Sequence, residues 1–256
     1  MKAKKVKSTA IFALVGAGIA LAQTAGAAVL ITPTAAYAST QNGNLRGATN
    51  AINNSGLSGP PYDLTSTHTW GENNLTWQTQ AGGVIDGQWI AFDLGDSYNL
   101  TDAHVWNYRQ GDGSNYAGRS MKNIDVYYSS LETPVLPTYA TVSGTTVTQG
   151  QTISDAALLS LGGEDYWTRV IDNHTLLRVS TTGSPEPVQN FGVVANNARW
   201  VLIRVDGGDG IGNYGDSPND DRTGLFEVKF TGVAVPEPAS ALLGGLGLLF
   251  LLRRRR

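Results

Sequence analysis

The 256-residue chain contains no cysteine. No disulfide can staple its fold, and a thiolate nucleophile or thiolate metal ligand is excluded. Charged residues are scarce at 15%, and only three histidines are present. His68, His104 and His174 lie far apart with no i, i+4 partner, so the H-E-x-x-H metalloprotease pattern is missing. Neither G-x-S-x-G nor a phosphate-cradling glycine loop opening a helix occurs. Carboxylates could still sit in pairs at glycosidase spacing, but acidic surface residues produce such pairs by chance. These absences favour a binding or structural protein over an enzyme.

Apolar runs are kept to the two ends. Lys2, Lys4, Lys5 and Lys7 precede an apolar run over 10–22 and the small-residue site Ala25-Gly26-Ala27. That is the layout of a secretory signal peptide, expected over 1–27. A second such site, Ala36-Tyr37-Ala38, is passed over because Val29-Leu30-Ile31-Thr32-Pro33 reads as the opening strand of the mature protein. At the other end Pro236-Glu237-Pro238 is followed by a 14-residue apolar stretch over 239–252, interrupted only by Ser240, and then Arg253, Arg254, Arg255 and Arg256. The apolar run is shorter than the roughly 20 residues of a comfortable membrane span. Its leucines nevertheless surround the helix axis, leaving no polar face for a core helix to expose. The arginines fit a cytoplasmic terminus. In order and content this tail resembles the PEP-CTERM sorting signal of Gram-negative bacteria, expected over 233–256. The resemblance implies recognition by an exosortase-type membrane protease, transient inner-membrane anchoring by a short hydrophobic helix, and delivery to the cell surface or extracellular matrix. The tripeptide Pro185-Glu186-Pro187 has no apolar run after it and reads as loop.

Without these two ends, ten Lys and Arg face twenty Asp and Glu, a net charge of about −10. Such a body lacks the basic stripe that nucleic acid would require. Its 28–232 span suffices for one core.

Within the body, short alternating runs rich in Thr, Val, Tyr and Trp are separated by glycine-rich turns, which predicts many strands. Strands are expected at 88–94, 103–108, 123–128, 176–180, 200–205 and 225–231. A helical turn capped by Ser154 is expected over 154–161. The fold class is therefore all-β, an antiparallel β-sandwich. Trp89 and Trp200 are expected to pack on the sheets, and His104 to be an exposed strand residue. Four segments then line up with a family. They are Ala51-Ile52-Asn53-Asn54-Ser55-Gly56-Leu57 with His68-Thr69; Trp89-Ile90-Ala91-Phe92-Asp93-Leu94-Gly95 leading to His104-Val105-Trp106-Asn107-Tyr108; Met121-Lys122-Asn123-Ile124-Asp125-Val126-Tyr127-Tyr128-Ser129; and Ala198-Arg199-Trp200-Val201-Leu202-Ile203-Arg204-Val205 closing with Gly224-Leu225-Phe226-Glu227-Val228-Lys229-Phe230. Their order and spacing resemble the discoidin, or coagulation-factor type C, domain of the galactose-binding-like jelly rolls. The segment 130–197 is longer than that pattern.

The resemblance implies a structural Ca²⁺ joining an early loop to the last strand. Carried over by motif, its ligands fall on Asn53, Thr69, the Phe226 carbonyl and Glu227, an oxygen-only set of the kind calcium takes. Asn53 stands where the family pattern has an aspartate, which removes one formal charge. Glu227 paired with an arginine is the alternative. The acidic, glycine-rich stretch 206–221 lacks the EF-hand register and reads as a solvated loop. The resemblance also implies ligand recognition by loops at one end of the sandwich. Rings that stack on sugar C–H faces, with amides and arginines for the hydroxyls, are sought in Trp70, Trp77, Tyr108, Arg109, Asn115, Tyr116, Arg119 and Tyr214. The expected function is non-catalytic binding of a glycan or exopolysaccharide. A structural matrix protein without specific ligand is the main rival, and a polysaccharide-degrading enzyme a remote one.

Overall fold

Ile90, Phe92 and Leu94 enter one core from one face of their strand, as period-two geometry requires, while Trp89 and Ala91 are buried on the other face. The computed structural model describes residues 26–68, 74–109, 115–163, 166–179, 187–207, 212–215 and 221–236. In chain order these form β1 (Val29–Ile31), β2 (Ala35–Ala38), β3 (Trp77–Gln78), β4 (Trp89–Asn107), β5 (Asn123–Ser129), β6 (Thr141–Ser143), β7 (Thr146–Thr148), the short helix α1 (Asp155–Leu159), β8 (Thr168–Thr175), β9 (Gln189–Val205) and β10 (Gly224–Ala234). Every pairing between these strands is antiparallel. The all-β antiparallel expectation holds.

Strands β4 and β9 each serve both layers of the sandwich. The first part of β4, from Trp89 to Asp93, pairs with β2 and with 200–204 of β9. Its later part, from Tyr98 to Asn107, pairs with β10 and with 189–198 of β9. Register shifts between Asp93 and Asp102 mark the bend, as bulges do where a strand changes direction. Phe92 in one layer then meets Phe230 of β10 edge to face, with ring centroids 5.9 Å apart. Ile124, Val126, Val201, Ile203, Val105 and Val228 complete that core.

This continuity corrects the sequence reading, which divided β4 into two strands. Gly95 makes the difference: at φ +83° it passes so close to Thr34 that a Cβ would lie 2.6 Å from that side chain. The glycine lets the strand continue where it reads as a stop. The strand expected at 176–180 is also displaced, to β8. Most of β8 is solvent-facing on an edge, so it pairs through its backbone and carries no apolar alternation. The opening strand at Val29 and the Ser154 cap on α1 are as expected, Ser154 Oγ accepting from Ala157 N at 3.3 Å. His104 is a correction. It is buried, bonded through Nδ1 to Asn190 Oδ1 at 2.7 Å and through Nε2 to Thr231 Oγ1 at 2.6 Å. Its neighbours on β9 and β10 satisfy both ring nitrogens, which removes the cost of burying them.

The long segment after β5 covers the outer face of one layer. Trp89, Tyr127, Trp200 and Leu202 of the sheet pack there against Leu158 and Trp167. Two indole N–H groups of the sheet tie it down, Trp89 to Gln151 O at 2.9 Å and Trp200 to Glu132 O at 3.0 Å, and a third braces it internally, Trp167 to Val135 O at 3.0 Å. Each satisfies the one polar atom of an otherwise apolar ring. Beneath the same segment Arg204 donates to Asp125 Oδ2 at 2.9 Å, Asp86 Oδ1 at 3.0 Å and Ile153 O at 2.8 Å.

Candidate functional site

Half of the expected ligand contacts are interior scaffold. Trp77 is fully buried, its indole N–H bonded to Thr40 O at 2.9 Å. Tyr108 is buried against Phe226, and its hydroxyl accepts from Gln78 Nε2 at 2.6 Å. Burial pushes the Tyr108 phenol up to about 12, although the Arg46 and Arg119 cations act against it. Arg109 and Arg119 are also buried. The reason is mutual: Gln78 also accepts from Asn42 Nδ2 at 2.7 Å and Arg46 Nη1 at 2.5 Å. Polar side chains that read as a sugar site instead bond one another inside. Tyr116 is half-buried with the Arg119 guanidinium 4.0 Å from its ring centroid, a cation–π pair that occupies the face a sugar would need. Tyr214 is half-buried and its hydroxyl donates to Leu176 O at 2.5 Å. Asn115 opens the short 3-10 turn Asn115–Arg119. Trp70 lies outside the described residues, as do 110–114 and most of 208–220.

The expected metal ligands are only partly assembled. Glu227 is fully buried on β10, and its Oε2 accepts from Asn54 N at 3.0 Å. Its Oε1 finds no hydrogen-bond partner. Burial pushes this carboxyl up to about 8, with the Lys229 ammonium and the Asn54 N–H pulling it back. Asn53 is exposed, and its Oδ1 is taken by Ser55 N at 2.9 Å. Phe226 is buried in a cluster with Leu57 and Trp106. Thr69 lies outside the described residues. Among the described residues no three His, Cys, Asp or Glu come together at metal-binding distances. The arginine alternative for Glu227 is not met either; the charged group beside it is Lys229.

A different place has the properties of a binding site. A cleft of about 390 Å³ opens between β2, the loop 41–50, Asn74 and the strand leading into β6. Tyr37 and Tyr139 meet in it edge to face, centroids 4.9 Å apart, and Tyr37 backs onto Trp200 at 5.8 Å. Exposed Asn44, Thr49, Asn74 and Thr141 supply amides and hydroxyls around the rings. No Asp, Glu, Lys, Arg or His is among the described lining residues. The far wall is the β6–β7 hairpin, pinned at its base. There Ala140 N bonds Ala38 O at 2.8 Å, Gly150 N bonds Ser39 O at 2.8 Å, and the Gln149 amide brackets Gln41 N at 2.9 Å and Gln41 O at 2.8 Å. Gly150 has no room for a side chain, since a Cβ would fall 2.1 Å from Thr138 O.

Sequence reasoning missed this cleft. The turn Ser143-Gly144-Thr145-Thr146 carries a hairpin signal, but nothing in it says that the hairpin stands beside Tyr37. The tyrosine itself read as part of a rejected cleavage site.

The last strand leads directly to the tail. Ala234 still pairs with Tyr98, and Val235 N bonds Ser97 O at 2.8 Å. The described chain ends one residue later at Pro236, beside a second, charged cleft of about 250 Å³ that includes Asp96, Glu132 and Arg199. The family model for the PEP-CTERM protein-sorting motif matches residues 234–256. The chain carries a PEP-CTERM sorting tail. It is thus an exported protein sorted through the membrane. The motif begins where the last strand ends, with no spacer between them.

No curated protein matches the chain in sequence. Solved structures similar to it include a truncated AlyQ with CBM32 and alginate lyase domains, at 14% identity and TM-score 0.39, covering 83% of this chain and 35% of that one. Another is the family 32 CBM of C. perfringens NanJ in complex with galactose, at 10% identity and TM-score 0.42, covering 80% and 99%. A third is an F5/8 type C domain from Bacteroides fragilis, at 13% identity and TM-score 0.43, covering 83% and 99%. The chain thus spans about a third of the length of the AlyQ chain it matches.

Proposed function

We propose that the body is a non-catalytic saccharide-binding module of the bacterial surface or matrix, which takes an uncharged glycan in the Tyr37–Tyr139 cleft. The observation that carries this reading is the lining of that cleft: two tyrosine rings, the four exposed amide and hydroxyl side chains of Asn44, Thr49, Asn74 and Thr141, and no Asp, Glu, Lys, Arg or His among the described lining residues. Ring faces and edges suit sugar C–H groups, and amides and hydroxyls both give and accept the hydrogen bonds that sugar hydroxyls need. Absence of a cation there disfavours uronic or sialic acids, since an anion leaving water needs a paired charge. Two-carboxylate hydrolysis finds no acid or base among the described residues of the cleft, which supports the non-catalytic reading. A secretory leader ending near Ala27 would export the chain. Cutting at Ala38 instead would remove β2, which forms four pairs with β4 and one wall of the cleft. The tail would hold the protein briefly in the inner membrane of a Gram-negative cell for an exosortase-type protease, before release to the cell surface or matrix.

A glycan screen on the full chain tests the reading. Saturable binding to a neutral polysaccharide, insensitive to salt between 0.05 and about 0.5 M, is expected because no screened charge pair contributes. Tyr139→Ala should weaken it by at least about 10-fold, or roughly 1.4 kcal/mol. Tyr139 is 37% exposed, so the melting temperature should move little. Absence of binding to any glycan would instead favour a matrix protein without specific ligand. A chain ending at Val235 keeps its last sheet hydrogen bond and should melt within about 2 °C of the full chain, a shift worth less than 1 kcal/mol. In fractionated cells the same truncation should lose any membrane-associated intermediate.

A further inference from the structure

Last-strand residues Glu227 and Lys229 are spaced two apart and so point to the same face of β10, where the loop 52–62 covers both. Lys229 is 2% exposed. A lysine is seldom buried this deeply unless its ammonium is paired. Its Nζ donates to Asn54 Oδ1 at 2.6 Å and to Tyr62 O at 2.6 Å. Glu227 fastens the same loop by accepting from Asn54 N at 3.0 Å. Asn54 is therefore held at both ends, by the lysine through its side chain and by the glutamate through its main chain. It adopts φ 60°, the left-handed turn that asparagine tolerates. The loop is closed at its far side by the Leu57–His68 bridge and by Ser58 N to Thr67 O at 2.9 Å.

We propose that the Lys229 ammonium is the cation of this junction, an internal replacement for the divalent metal that an early loop joined to an acidic last strand would otherwise hold. Three features argue for it. Two oxygens of this loop that a cation could use, Asn54 Oδ1 and the Tyr62 carbonyl, already receive the ammonium. The residue at the aspartate position, Asn53, is neutral, exposed and engaged with Ser55 N. Calcium needs six to eight oxygens, whereas the junction's buried acid is Glu227 alone. A divalent ion placed beside an ammonium in a dry site meets strong repulsion, because Coulomb energy grows as the local dielectric falls. One carboxylate cannot offset both. The lysine thus does through two hydrogen bonds what a metal does by coordination, and it frees an exported protein from the calcium content of its surroundings.

Thermal unfolding of the full chain, with chelator and with millimolar CaCl₂, tests the proposal alongside two variants. The native chain is expected to show the same melting temperature in both conditions and no heat of calcium binding. Lys229→Met keeps the bulk but removes the ammonium, and should lower the melting temperature by several degrees in either condition. The double variant Asn53→Asp with Lys229→Ala restores acidity and space, and should become stabilised by CaCl₂ in a saturable manner. A native chain that loses stability in chelator and regains it with calcium would overturn the proposal, as would a Lys229→Met chain that melts unchanged. Should a variant fail to fold, the native chain's response to chelator decides alone.

Discussion

Arg204→Met is expected to lower the melting temperature by about 10 °C. The guanidinium reaches Asp125 and Asp86 while its Nε holds Ile153 O, and Asp125 is 2% exposed. Asp125 also accepts from Asn173 N at 2.9 Å, and Tyr127, bonded to it at 3.2 Å, reaches Asp155 Oδ1 at 2.6 Å. Methionine fills much the same volume but strands the carboxylate. Breaking a buried ion pair from one side costs about 3–5 kcal/mol, because the remaining buried charge keeps no counter-charge. A domain of this size shifts by about 2–4 °C per kcal/mol. The double variant Arg204→Met with Asp125→Leu should recover part of the loss, since replacing both partners by apolar groups is often near neutral. Calorimetry or urea melts read both. A single-variant shift below about 3 °C would mean that Asp125 reaches water or another cation. Because Arg204 also holds Ile153, amide exchange in 150–160 should rise before exchange in β4 or β9.

The second large effect falls on binding alone. Replacing 141–148 by Asn-Gly joins Ala140 to Gln149, which face each other one step beyond the Thr141–Thr148 pair, through a two-residue hairpin turn. The β6–β7 hairpin is almost wholly exposed, so the core should lose little, and the melting temperature should stay within about 3 °C. The cleft, however, loses Thr141 and Val142 and with them its far wall. Affinity for a neutral glycan should fall at least about 30-fold, or roughly 2 kcal/mol. Isothermal titration against the polysaccharide identified in the screen measures this. Full retention of affinity would move the site away from the cleft. Gly150→Ala should act in the same direction more weakly, by forcing the hairpin off Ser39 and Thr138.

Much of the body was legible in the sequence, and the reason is local. Period-two alternation at Ile90, Phe92 and Leu94, and at Val201 and Ile203, marks strands with one core-facing side whatever they pair with. Ser154 announces a helix start by chemistry confined to three residues. The tail is legible for the same reason: a tripeptide, an apolar run and four arginines act as a linear address.

The Tyr37–Tyr139 cleft was not legible. Trp77, Tyr108, Arg109 and Arg119 have the composition of a sugar site, and composition cannot distinguish side chains that face a ligand from side chains that face each other. Gln78 decides it, by gathering Tyr108, Asn42 and Arg46 around one buried amide. Likewise Lys229 reads as an ordinary polar residue on the outer face of a strand until Asn54 and Tyr62, more than 160 positions away, close over it.

The sequence by itself determined that this is an exported, cysteine-free, antiparallel β protein with a sorting tail, because each of those properties is written in neighbouring residues. Tertiary structure alone decided that Tyr37 and Tyr139, about 100 residues apart, share a cleft with no charged side chain among its described lining residues, and that Lys229 is buried against Asn54 and Tyr62 of an early loop. Both depend on which distant backbones pair. In this fold that pairing is set by the bend in β4 and β9 and by the two tryptophan N–H groups, of Trp89 and Trp200, that fix 130–167 on the sheet.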